Sequence, residues 1–169
     1  PIDSFSRFGG VAGVAMKVHN CHADVTIEGY HTLGGIVGKG LVYSSTAKGT
    51  VTSTLTYEQA FYTISDNNTN SYHGDEPCAK SEITKSTYSD IGGILGNGNA
   101  ANCRSEVTVL APNVAYVGGI SGKGAVANSV SLANVTGAYY VGGIVGQSYE
   151  INYGKGIANC YSSGVITAQ

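Results

Sequence analysis

The chain has 169 residues, 42% of them hydrophobic and only 12% charged, with a formal net charge of −2. That length suffices for one domain with a continuous core, and the charged share is about half the usual one. The near-neutral balance, with lysines and arginines scattered, excludes a basic stripe for nucleic acid, and no stretch is long and apolar enough to insert in a membrane.

Taken in order, the chain opens at Pro1 without a methionine or signal segment, which reads as a processed or excised piece. A glycine doublet flanked by apolar residues then recurs: Phe8-Gly9-Gly10-Val11, Leu33-Gly34-Gly35-Ile36, Ile91-Gly92-Gly93-Ile94, Val117-Gly118-Gly119-Ile120 and Val141-Gly142-Gly143-Ile144. After each doublet comes a small residue, at Cys21, Ser45, Cys103, Ser129 and Cys160, preceded by asparagine everywhere except at Ser45. Cys78 completes this set, so a degenerate coil lacking its doublet is expected between Ser45 and Cys103. A third landmark, an apolar residue then threonine, falls at Val25-Thr26, Val51-Thr52, Ile83-Thr84, Val107-Thr108 and Val135-Thr136, with Val165-Ile166 in the last copy.

A period of about 25 residues marks a unit that cannot bury its own apolar face and must stack on its neighbours. The landmarks are β-branched and glycine-rich, without helical spacing, so the units read as short strands joined by turns. The expected fold is all-β, a parallel β-solenoid (β-helix) of about six coils forming one domain over 1–169. A divergent coil or insertion is expected at 54–90 and a loop insertion at 147–155. The apolar residues around each doublet are three apart and would face opposite ways in a straight strand. If both point inward the chain bends there, and glycine, tolerant of positive φ, suits the bend. Ile36, Ile94, Ile120 and Ile144, with Val11, then form the most uniform apolar ladder.

The pattern Val141-Gly142-Gly143-Ile144-Val145-Gly146 followed by Asn159-Cys160-Tyr161-Ser162-Ser163-Gly164-Val165-Ile166-Thr167 resembles the GLUG repeat. That motif occurs in tandem in bacterial surface proteins, including adhesins and immunoglobulin A-cleaving metallopeptidases. The resemblance runs from Phe8 to Thr167 and is weakest over 54–90. It implies an extracellular or cell-surface location and an adhesive or accessory role, and supplies no catalytic residues.

Motifs suggesting chemistry have bland readings beside them. Gly38-Lys39-Gly40 and Gly122-Lys123-Gly124 lack the spacing of a phosphate loop and read as lysines in turns, with Gly124 in an open one. His19, Cys21 and His22 are compact, but no second cluster follows with metal-ligand spacing. The position shared by Cys21, Cys78, Cys103 and Cys160 with two serines reads as small and buried; its thiols are either free or bridged between adjacent coils. Asp66, Asn68 and Asn70, with Glu76, resemble the start of a calcium loop, but Ser71 and Pro77 depart from it, and a polar surface loop is the alternative.

No catalytic constellation can be assembled, so an enzyme is not expected. The expected function is a non-catalytic surface module, adhesive or a rigid spacer, with a host-surface protein or glycan as partner. The alternative is a subunit that stacks end to end on copies of itself into a fibre, since repeat sequence reaches close to both ends and only Pro1 to Arg7 could cap one. A third reading, ice binding, uses the threonines of the third landmark. Tyr57, Tyr62, Tyr72, Tyr149 and Tyr153 lie where the repeat fails, and loops on a rigid scaffold are where binding is usually placed.

Overall fold

Within Ala23-Asp24-Val25-Thr26-Ile27-Glu28 the exposure alternates, with Asp24, Thr26 and Glu28 outward and the apolar residues turned in, as a strand requires. Three such segments make one coil. A computed structural model describes residues 6–56, 61–65, 82–86, 89–148 and 156–169, with side chains described outside 61–65 and 82–86. The first coil runs through Arg7–Gly9, Ala12–His19 and His22–Gly29. The second repeats it in Thr32–Gly34, Val37–Tyr43 and Thr46–Ser53, and the third in Asp90–Gly92, Leu95–Ala101 and Arg104–Leu110. The fourth and fifth begin at Tyr116–Gly118 and Tyr140–Gly142, and their later strands are interrupted.

Each strand of the coils pairs in parallel with its equivalent in the neighbouring coil. The result is one sheet of five strands and two of seven, a parallel β-solenoid with no helix among the described residues. The doublets stack in register as the sequence predicts: Gly9 on Gly34, Gly34 on Gly92, Gly92 on Gly118 and Gly118 on Gly142. Leu33, Ile91 and Val117 before the doublets and Ile36, Ile94 and Ile120 after them are all fully buried. The chain therefore does bend between each pair. At the bend one carbonyl serves two donors: Ile94 O accepts from Ile36 and Val37, Ile120 O from Ile94 and Leu95, and Ile144 O from Ile120 and Ser121.

The bend does not use positive φ, contrary to the expectation for the doublets. Among the described residues the left-handed glycines are Gly40, Gly49, Gly98, Gly124 and Gly164. The doublets are glycine because neighbouring coils approach too closely for a side chain. A Cβ on Gly35 would meet the Gly93 carbonyl, one on Gly93 the Gly119 carbonyl, and one on Gly119 the Gly143 carbonyl. Gly124 is no open turn either, since φ is 146° and a Cβ there would meet the Gly98 backbone.

Two further expectations are corrected by register. The second coil pairs directly with the third, through Leu33 on Ile91, Val37 on Leu95 and Val51 on Val109. The expected degenerate coil thus has no level in the stack, which holds five among the described residues. Ile83 and Thr84 instead pair antiparallel with Ile64 and Thr63, in a hairpin of Phe61–Ser65 and Glu82–Ser86. The third landmark also splits. Thr26 and Thr108 stack on Thr50, whereas Thr52 stacks on Glu28 and Leu110, and Thr136 on Leu110 and Thr167. The single threonine column needed for ice binding does not form.

Candidate functional site

The small-residue position is built from a left-handed corner. Asn20, Ser44, Asn102, Asn128 and Asn159 all adopt positive φ, between 49° and 56°, a conformation that asparagine tolerates better than most residues. The next residue donates back to the carbonyl two positions before it: Ser45 to Tyr43 at 2.8 Å, Ser129 to Ala127 at 2.8 Å, Cys103 to Ala101 at 3.3 Å and Cys160 to Ala158 at 3.2 Å. A hydroxyl or thiol on one carbon satisfies this geometry, so serine and cysteine interchange. The hydroxyls also accept from the N–H of the coil before, Cys21 to Ser45 and Cys103 to Ser129.

This stacking sets the order Cys21, Ser45, Cys103, Ser129, Cys160. A serine separates each pair of described cysteines, and Cys21, Cys103 and Cys160 are free thiols. Burial pushes the Cys103 thiol pKa up against two hydrogen bonds that lower it, so it is a poor nucleophile. Cys78 lies outside the described residues.

A second cluster forms where the first sheet meets the second. The residues two before each doublet share one column, Arg7, Thr32, Asp90, Tyr116 and Tyr140. Beside it run Lys39, Asn97, Lys123 and Gln147. Asp90 is buried, and the Asn97 side-chain amide donates to it at 2.6 Å. Burial raises the Asp90 carboxyl above its ordinary range; Asn97, Lys123 and Lys39 pull it partly back. The Lys123 ammonium sits 4.7 Å from the centre of the Tyr116 ring, which stacks on Tyr140 with centroids 5.1 Å apart. Gly96 and Gly122 let the sheets close here, since a Cβ on either would meet the Asp90 backbone.

Lys39 and Lys123 are therefore strand residues of this cluster, Lys39 exposed and Lys123 half-buried against the ring. The cluster can present aromatic edges, ammonium groups and an amide to a partner; it assembles no nucleophile with a base. Sequence reasoning missed it although the repeat contains it, because each member keeps a fixed offset from its doublet.

His19 and His22 lie on different sheets, either side of the Asn20 corner, and no group of three His, Cys, Asp or Glu that could hold a metal occurs among the described residues. Asp66, Asn68, Asn70 and Glu76, and Tyr57, Tyr72, Tyr149 and Tyr153, lie outside the described residues; Tyr62 is described only as a strand position paired with Lys85. The flanks of the two insertions are described. Leu55, before the first, is buried, and its carbonyl accepts from Asn113 at 2.8 Å. Ser89, after it, bonds His31 Nδ1 at 3.1 Å. Both flanks sit where the third sheet returns to the first, whereas the second insertion interrupts the second sheet between Val145–Gln147 and Ile157–Ala158. The two loops leave from different sides of the coil. Comparison with protein-family models, curated proteins and solved structures found no match.

Proposed function

We propose that this chain is a non-catalytic repeat module of an extracellular bacterial surface protein, holding a contact surface on a rigid rod. The observation that carries the reading is the unbroken register of the five-stranded sheet, which fixes every outward side chain relative to the next coil. The GLUG resemblance supports the surface location and the adhesive or spacer role. A partner of host-protein or glycan class would meet the exposed aromatics, since Tyr139 and Tyr140 are exposed and Tyr140 stacks on the Tyr116 ring that Lys123 covers, and tyrosine joins a large contact area to a polar handle.

The test is attachment of protein-coated beads to host cells and to immobilised glycans. Tyr140→Ser, and separately Tyr149→Ser with Tyr153→Ser, should each lower attachment at least about tenfold, the scale of one lost contact, with the circular dichroism unchanged. Rod-like scattering without attachment supports the spacer role. The absence of both attachment and rod-like scattering would refute the proposal.

A further inference from the structure

We propose that Lys123 and Asn97 join through an amide bond between their side chains, a covalent tie between the third and fourth coils in which Asp90 carries the proton. All three residues lie inside the stack, with strands paired on both sides of their own. Two rungs set the geometry. In the third coil Asn97 reaches from the second sheet to Asp90 on the first, its amide 2.6 Å from Asp90 Oδ2. In the fourth coil Lys123 reaches across in the same way to Tyr116, its ammonium 4.7 Å from the ring centre. The rungs stack in register, Asp90 on Tyr116 and Asn97 on Lys123.

Register partners in a parallel pair point to the same face, about 4.8 Å apart in backbone spacing. The four-carbon stem of lysine is flexible enough to bring its nitrogen back to the Asn97 amide carbon. Lys39 flanks Asn97 on the other side, but it is exposed, whereas Lys123 is half-buried against the ring.

At rest Lys123 is an ammonium, so the cluster offers an outside substrate no nucleophile. Attack on its own neighbour begins once that ammonium gives a proton to water. The free amine adds to Asn97 Cγ and forms the new C–N bond. The Asp90 carboxylate takes the proton that the attacking nitrogen sheds and hands it to Asn97 Nδ2, to which it is already hydrogen-bonded. The bond from Cγ to Nδ2 then breaks, and ammonia leaves. One amine and one primary amide thus give one secondary amide and one ammonia, with no oxidant, metal or second substrate. Burial suits Asp90 to this step, because it lifts the carboxyl above its ordinary range, towards values where a group both takes and returns a proton. The inference is independent of what the outer face contacts.

The test is the mass of the purified full chain before and after incubation at mildly alkaline pH, where more of the amine is free, followed by tryptic digestion. The chain should become lighter by one ammonia molecule. Its digest should hold a branched peptide, in which the fragment containing Asn97 is joined to a fragment running uncut through Lys123. Lys123→Arg and Asp90→Asn should each lose the branched peptide with the circular dichroism unchanged, and wild-type chain incubated in denaturing urea should lose it too. Mass alone does not decide, since Asn97 precedes Gly98, whose backbone nitrogen can expel the same ammonia by closing a ring on Asn97. Ammonia loss that persists in Lys123→Arg without a branched peptide in the wild type would overturn the proposal. An unchanged wild-type mass, or a branch at Lys39 in place of Lys123, would overturn it equally. A branch that forms as fast in Asp90→Asn would overturn the role given to Asp90.

Discussion

Asn20, Asn102, Asn128 and Asn159 hold the left-handed corner, and Ser44 does the same work at the second coil with a residue less suited to it. Left-handed backbone costs an ordinary L-residue about 1–2 kcal/mol, and asparagine visits it routinely. Ser44→Asn should therefore stabilise the chain by about 0.5–1 kcal/mol, and Asn102→Ala should destabilise it by about 1 kcal/mol, both read from denaturant midpoints. The asparagine before four of the five small residues was visible in the sequence, but its reason was not, because nothing in one chain separates a corner conformation from a side-chain contact. The apolar ladder was legible outright. Ile120 is fully buried, so Ile120→Asp should cost several kcal/mol through an unpaired buried charge. Ile144 is only partly buried in the fifth coil, so Ile144→Asp should cost distinctly less. Equal thermal shifts for the two would contradict the position of the fifth coil at the end of the stack.

The bend at each doublet could be inferred from apolar residues three apart, whereas its cause depends on the neighbouring coil. Gly119→Ala places a Cβ against the Gly143 carbonyl and the Ser131 hydroxyl, and should cost about 1–3 kcal/mol as an overpacked contact. The third landmark shows where sequence reading stops. A shift of two residues along a strand leaves every side chain on the same face, so Val51-Thr52 fits the pattern of Val25-Thr26 although Thr50 is the partner of Thr26. A shift of one residue would have reversed the faces and been detectable.

The strands holding Asp90 and Asn97 give a pH signature of their own. Burial raises the folded-state carboxyl, so the folded chain holds this proton more tightly than the unfolded chain. Stability from this group is therefore greatest below the ordinary aspartate range, falls as pH climbs through that range to the raised value, and is level above it. Glu106, held low first by its hydrogen bond from Arg104, contributes in the opposite sense, losing stability as pH falls. The two are separated by difference. The Tm of Asp90→Asn minus that of the wild type should rise between about pH 3 and pH 6, and a constant difference would show that Asp90 is not desolvated in the folded chain.

For the molecule as a whole, the sequence conveyed the solenoid but left the long gap open between a divergent coil and an insertion, because counting landmarks cannot distinguish a degenerate coil from an excursion. Pairing can, since coil two meets coil three with nothing between them. The consequence is a deletion. Without residues 57–88, Thr54, Leu55, Thr56 and Ser89 would join Ser53 to Asp90. Pro112, Asn113, Val114 and Ala115 already make the equivalent return from Ala111 to Tyr116, braced by a Val114 to Ala111 hydrogen bond. The anchors of the shortened corner survive, namely Asn113 to Leu55 and His31 to Ser89. Shortening a long loop also lowers the closure entropy, by a slowly varying amount of roughly 0.6 kcal/mol per halving. The deleted chain should therefore keep its sheet signal in circular dichroism and melt at or above the temperature of the full chain. Loss of cooperative melting would mean that the excised segment contributes to the core, and would return the sixth coil to consideration.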